Sequence, residues 1–192
     1  YNAAGQLLQK WRLRDFSASV DVPRMFSAVG NFDDDPGLEI VAVDGGSDLV
    51  MFDIGKADAP VWRARVNGSL VSSPVVGDIN GDGKVEIVAG VYDAASKGQP
   101  GMAGGVYAWD RQGMLLPGWP VLIDQSFPFA PALADLDGDK RLEIIISSQG
   151  LALHALRWDG FDLPGWPVKP PAGLKLASSP VVGDINGDGL PD

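Results

Sequence analysis

The sequence predicts an all-β protein assembled from repeated small antiparallel sheets, on three observations. Short runs of β-branched and aliphatic residues recur between turns, as in Ile40-Val41-Ala42-Val43, Ile87-Val88-Ala89 and Ile144-Ile145-Ile146, and no stretch sustains the apolar period of a helix. Turn formers abound, with 25 Gly and 15 Pro in 192 residues. A nine-residue pattern with acidic or amide side chains at its first, third, fifth and ninth positions starts at 31, 78, 135 and 184. Recurrence at intervals of 47, 57 and 49 residues is the mark of stacked structural repeats.

A second signature keeps the same register. Gly113-Met114-Leu115-Leu116-Pro117-Gly118-Trp119-Pro120-Val121 matches Gly160-Phe161-Asp162-Leu163-Pro164-Gly165-Trp166-Pro167-Val168, and weaker copies run from Gly5 to Trp11 and from Gly55 to Trp62. Each repeat therefore carries one acidic loop and one later turn ending in a docking tryptophan.

Taken in order, residues 1–14 are expected to end a preceding unit. Residues 25–66 form the first full one, with an entry at Phe26 to Val29 and strands at Leu38 to Val43, Asp48 to Asp53 and Pro60 to Val66. Residues 71–123 repeat the plan, with Val106 to Asp110 as third strand and an insertion between Val91 and Gly105 that reads as a surface loop. Residues 129–169 give the third unit, and 177–192 open a further one. Units of this length with four short strands read as blades of a β-propeller. Three full and two partial blades fall short of a closed ring, so the expectation is an incomplete propeller, completed by further sequence or by another copy. Its open edges favour self-association.

The acidic pattern carries the chemistry. Asp78, Asn80, Asp82 and Glu86, with their counterparts Asn31, Asp33, Asp35 and Glu39, then Asp135, Asp137, Asp139 and Glu143, then Asp184, Asn186, Asp188 and Asp192, place hard oxygen donors on alternate residues of a tight turn. That donor set suits a hard divalent cation, above all Ca2+, at up to one ion per loop. An EF-hand requires its closing Glu at the twelfth position and flanking helices; here the acid is ninth and strand formers follow. Thirteen of the 25 acidic residues stand at these positions, and four divalent ions would bring the formal charge of −10 to about −2. The acidity thus reads as metal ligation and argues against nucleic-acid binding.

The segments VVGDINGDGKVEIVAG, ALADLDGDKRLEIIIS and VVGDINGDGLPD resemble the FG-GAP or VCBS-type repeats of integrin alpha-subunit propellers and of many secreted bacterial proteins. The resemblance implies calcium in the loops between first and second strands, a secreted or cell-surface setting, and a non-catalytic scaffold for adhesion or for binding a protein or carbohydrate. The chain departs from that family in two ways. Phe26-Ser27, Ser72-Ser73 and Ser178-Ser179 stand near the place of the Phe-Gly dipeptide, and the first loop has Asn31 in the leading position and Pro36 in place of a glycine. That loop is expected to bind most weakly.

Catalytic material is sparse. There is no cysteine, hence no disulfide or thiolate site, and His154 is the one histidine, at a strand position. The alternative to a scaffold is part of a calcium-dependent propeller enzyme, such as a polysaccharide lyase, with catalytic residues outside this chain. Lys and Arg are scattered rather than gathered on one face, which favours the scaffold. No run reaches the roughly 20 apolar residues of a membrane helix, so no membrane insertion is expected.

Overall fold

The computed structural model describes residues 27–33, 35–45, 47–56, 59–70, 72–92, 104–123, 129–148, 152–176, 178–189 and 191. The strand expected within 1–14, most of the insertion after Val91, and Asp192 lie outside them. Among the described residues, twelve strands form three antiparallel sheets and there is no helix.

The first sheet is a simple meander of β1 (Ser27–Gly30), β2 (Glu39–Asp44), β3 (Asp48–Asp53) and β4 (Trp62–Arg65). Its central hairpin closes where Asp44 pairs with Asp48. Both carboxylates are buried, and Arg63 of β4 bridges them while the Arg65 Nε donates to Asp48 Oδ1 at 2.8 Å. Buried carboxylates require such partners.

The second sheet contains β5 (Ser69–Leu70), β6 (Val75–Gly77), β7 (Glu86–Tyr92), β8 (Gly104–Trp109) and β9 (Val121–Ile123). Both β5 and β6 pair with β7, opposite Val91–Tyr92 and Glu86–Val88 respectively, so together they act as one interrupted first strand. Pro74 lies in the break and has no N–H to donate. Across it the Gly90 N–H finds the Ser72 Oγ, 2.7 Å away and buried.

The third sheet has β10 (Ala132–Ala134), β11 (Glu143–Ser147) and β12 (Leu153–Leu156). Here the expected fourth strand shrinks to a single bridge, in which Leu153 and Val168 exchange two hydrogen bonds of 2.8 Å. The reason is proline. Pro170 and Pro171 after Val168 supply no donors, whereas Val121-Leu122-Ile123 at the equivalent place is free to pair as β9. Residues 178–189, the described opening of a fourth unit, contain no strand.

Strand alternation decides the packing. Ile87, Ala89 and Val91 of β7 point to the first sheet and share a buried cluster with Val41, Leu49 and Met51. Val88, between them, points the other way and joins Ile144, Ile146 and Leu156 of the third sheet. The second sheet is thus packed face to face between its neighbours, each buried aliphatic side chain contributing about 1.5–3 kcal/mol. The second residue of the first two acidic loops follows suit, Phe32 entering the first interface and Ile79 the second, both nearly fully buried, whereas Ile185 of the fourth loop is exposed.

The second sequence signature supplies the polar lock between units. Pro117-Gly118 occupies the centre of a turn with Gly118 at φ 88° and the Trp119 N–H donating to Leu116 O at 3.1 Å, the type II geometry that favours Pro then Gly. Gly165 repeats it at φ 92°. The turn delivers Trp119 into the second interface, where its indole Nε1 donates to Trp158 O at 2.8 Å. Trp62 does the same one unit earlier, to Arg111 O at 2.9 Å. Arg111 and Trp158 are equivalent positions of successive hairpins. The glycine two residues after each of them leaves room for the neighbouring unit, since a Cβ on Gly113 would lie 2.8 Å from the Trp62 ring and one on Gly160 2.8 Å from Val121 Cγ2.

Candidate metal centres

Three of the four acidic loops fold alike. In the second, Asp78 Oδ1 accepts the N–H groups of Gly81 (2.7 Å) and Asp82 (3.1 Å), and its Oδ2 accepts that of Gly83 (2.8 Å). Asn80 Oδ1 accepts the Asp82 N–H and Asp82 Oδ1 the Lys84 N–H, each at 2.8 Å. Asp135 repeats the first role toward Gly138 and Lys140, and Asp184 toward Gly187, Asp188 and Gly189. Asp137, Asp139 and Asn186 repeat the others. Each short polar side chain thus fixes its own turn by accepting an N–H further along the loop.

These turns demand left-handed backbone at the fourth and sixth positions. Glycine meets the demand at Gly81, Gly83, Gly138, Gly187 and Gly189, but the sixth residue of the third loop is Lys140 at φ 71°. A side chain is strained there by about 1 kcal/mol. Lys140→Gly is therefore expected to raise stability by about 0.5–1 kcal/mol, read as a higher urea midpoint at unchanged slope; a lower midpoint would contradict the strain.

The ninth-position glutamate opens the next strand and turns back under the loop. Glu39, Glu86 and Glu143 are all nearly fully buried, and each Oε2 accepts the N–H of the loop's second residue, from Phe32 at 2.6 Å, Ile79 at 3.0 Å and Leu136 at 2.8 Å. Burial, and then the neighbouring Asp82 and Asp78, push the Glu86 carboxyl up to about 7. Burial and the Asp137, Asp139 and Asp135 carboxylates push Glu143 up as well. A cation among these oxygens would reverse both effects.

The donor sets fit a hard cation. Asp135, Asp137 and Glu143 bring carboxylate oxygens within 4.8 Å of one another, as do Asp33, Glu39 and Asp53. Glu39 Oε1 is buried and has no hydrogen-bond partner, an arrangement that leaves a lone pair for an ion. The first loop differs in detail. Asn31 donates from Nδ2 to Asp35 O at 2.6 Å instead of accepting loop N–H groups, and Asp35 is paired with Lys56, an ammonium that holds its carboxyl below the usual range.

Asp53 and Lys56 were not among the sequence-derived candidates. A signal existed for Asp53, because Asp53 and Asp110 both close the third strand of their units, and in the sheet Asp53 lies directly opposite Glu39. Asp110 Oδ1 instead accepts the Gln112 and Met114 N–H groups of its own hairpin, and Arg157 stands at that place in the third unit. His154 lies buried in β12, its Nδ1 3.2 Å from Asp162 Oδ1.

Antiparallel sheets repeated in sequence, packed face to face and each carrying an Asp-rich loop between first and second strands, define a class of repeat protein. Within it, residues 70–109, which hold β6, the second acidic loop, β7 and β8, match the family model of the FG-GAP repeat. No curated protein matches the chain. Among solved structures, the crystal structure of the V. cholerae biofilm matrix protein Bap1 aligns with 78% of this chain at 21% identity and a TM-score of 0.37. The chain spans 29% of that protein's length. No helix of the described residues is long and apolar enough to cross a membrane.

Proposed function

We propose that this chain is a calcium-stabilised β-propeller segment, its sheets acting as blades, and that it serves as a non-catalytic extracellular scaffold for adhesion or for binding a protein or carbohydrate. The observation that carries the calcium reading is the gathering of Asp135, Asp137 and Glu143 carboxylate oxygens within 4.8 Å of one another, in a loop whose N–H-capped geometry recurs at Asp78 and Asp184. Such clustering is unfavourable until a cation compensates it. The scaffold reading is supported by the match of residues 70–109 to the FG-GAP repeat. The face-to-face packing of successive units supports the blade assignment.

A pH series tests it. Without metal, the Glu86 carboxyl at about 7 binds its proton more tightly in the fold than at the ordinary 4.5 of the unfolded chain. Its contribution therefore favours the fold at low pH and is lost as pH rises between those values. With calcium bound, the ionised form is the ligand and protons compete with the ion. The difference in melting temperature between calcium-loaded and chelated protein is expected to widen from about pH 5 to about pH 7.5. A difference that stays flat over that range would count against these glutamates as ligands.

A further inference from the structure

The geometry points to a first cation site built differently from the loop pattern: Asp33, Glu39 and Asp53 hold a divalent ion, and the Lys56 ammonium is an internal cation that competes with it. This inference rests on the calcium reading above. Three observations carry it.

The oxygens of Asp33, Glu39 and Asp53 approach within 4.8 Å of one another, joining the loop to the end of β3. Glu39 is fully buried, and its Oε1 has no partner although its Oε2 holds the Phe32 N–H. A buried carboxylate oxygen left unpaired is unfavourable unless something cationic faces it.

Asp35, the third ligand of the loop pattern, is committed elsewhere. Its Oδ1 accepts the Gly37 N–H at 2.6 Å and its Oδ2 pairs with Lys56 Nζ. The same ammonium reaches Asp53 Oδ2 at 2.5 Å. Lys56 thus sits on one intended ligand and one excluded one, on the exposed side of the cluster, its side chain 58% exposed. An ion bound by Asp53 must either displace the ammonium or accept a positive neighbour, and both weaken binding.

Asn31 removes one more negative charge from the loop, and Pro36, with φ fixed negative, bars the left-handed sixth position that lets Asp78, Asp135 and Asp184 gather N–H groups. The first unit therefore takes its third carboxylate from the sheet, at Asp53 opposite Glu39.

The test is calcium titration by calorimetry of the full chain, with bound ions counted by native mass spectrometry. Asp53→Asn is expected to remove one ion while the other loops stay filled. Asp35→Asn is expected to leave the ion count unchanged. Lys56→Gln is expected to tighten the weakest site at least about tenfold, as removal of an adjacent like charge does. A chain that keeps its count after Asp53→Asn but loses an ion after Asp35→Asn would overturn the assignment in favour of the loop pattern, and unchanged affinity in Lys56→Gln would overturn the competition. If the wild-type chain binds no calcium at any loop, it is the calcium reading itself that fails. Lys56→Gln alters an exposed side chain, so it remains informative should Asp53→Asn fold poorly.

Discussion

Trp119→Ala is expected to destabilise the chain by about 3–5 kcal/mol. Its side chain is 7% exposed and packs in the interface formed by Val88, Val106, Ile144 and Leu156. Truncation opens a cavity between the second and third sheets and leaves Trp158 O without the indole N–H that now reaches it at 2.8 Å. Both losses fall on the same interface, so they add at one place rather than being spread over the fold. Trp119→Phe keeps most of the apolar area and loses the hydrogen bond, for a smaller effect of about 1–2 kcal/mol. Urea unfolding of the two variants separates packing from hydrogen bonding. A Trp119→Ala loss below about 1 kcal/mol would mean that the sheets do not depend on this side chain for their docking.

Removal of calcium is expected to have the larger effect. A ligand held only by the fold stabilises it by about 2.7 kcal/mol per site at a hundredfold excess over its dissociation constant. Three sites of the Asp78, Asp135 and Asp184 type would together contribute about 8 kcal/mol, which is comparable to the whole stability of a typical domain. For a chain of this size each kcal/mol moves the melting temperature by about 2–4 °C. Excess chelator should therefore lower the midpoint by about 15–30 °C or unfold the chain outright. The repulsion is built into the structure: Glu86 and Glu143 are already pushed toward protonation by burial and by the aspartates beside them.

Much of this was legible in the sequence because it is local. The runs at Leu38 to Val43 and Asp48 to Asp53 alternate or saturate with strand formers between turn residues, and they became β2 and β3 with bounds shifted by a residue at most. The spacing of Asp78, Asn80 and Asp82 is read directly as a tight turn, and the structure adds that each side chain accepts an N–H further along it. The repeated Leu-Pro-Gly-Trp-Pro segments located Trp119 as an interface residue, and Trp62 by weaker analogy.

What escaped the sequence depends on pairing partners. Nothing local says that Ser69–Leu70 joins the same edge of β7 as Val75–Gly77, because that follows from the break at Pro74 and the register of β7. The loss of a full fourth strand in the third unit was written in Pro170 and Pro171, but only comparison with Val121-Leu122-Ile123 gives those prolines their meaning. Asp53 meets Asp33 and Glu39 because antiparallel register sets it opposite Glu39, a relation between residues 14 apart that no loop pattern contains. Lys56 then follows one turn later. Asn31 and Pro36 already set the first loop apart in the sequence, and the structure adds Asp53 and that lysine.

The central claim is that the Asp-rich loops are cation sites, and the most direct measurement is the number of ions held by the folded chain. Native mass spectrometry of protein equilibrated in millimolar calcium is predicted to show up to four bound ions, one for each acidic loop of the sequence, with the last to fill belonging to the Lys56 site. Asp78→Asn and Asp135→Asn should each remove one. A folded chain carrying no calcium above nonspecific adducts, and indifferent to both substitutions, would contradict the account at its foundation and leave the loops as self-capped acidic turns.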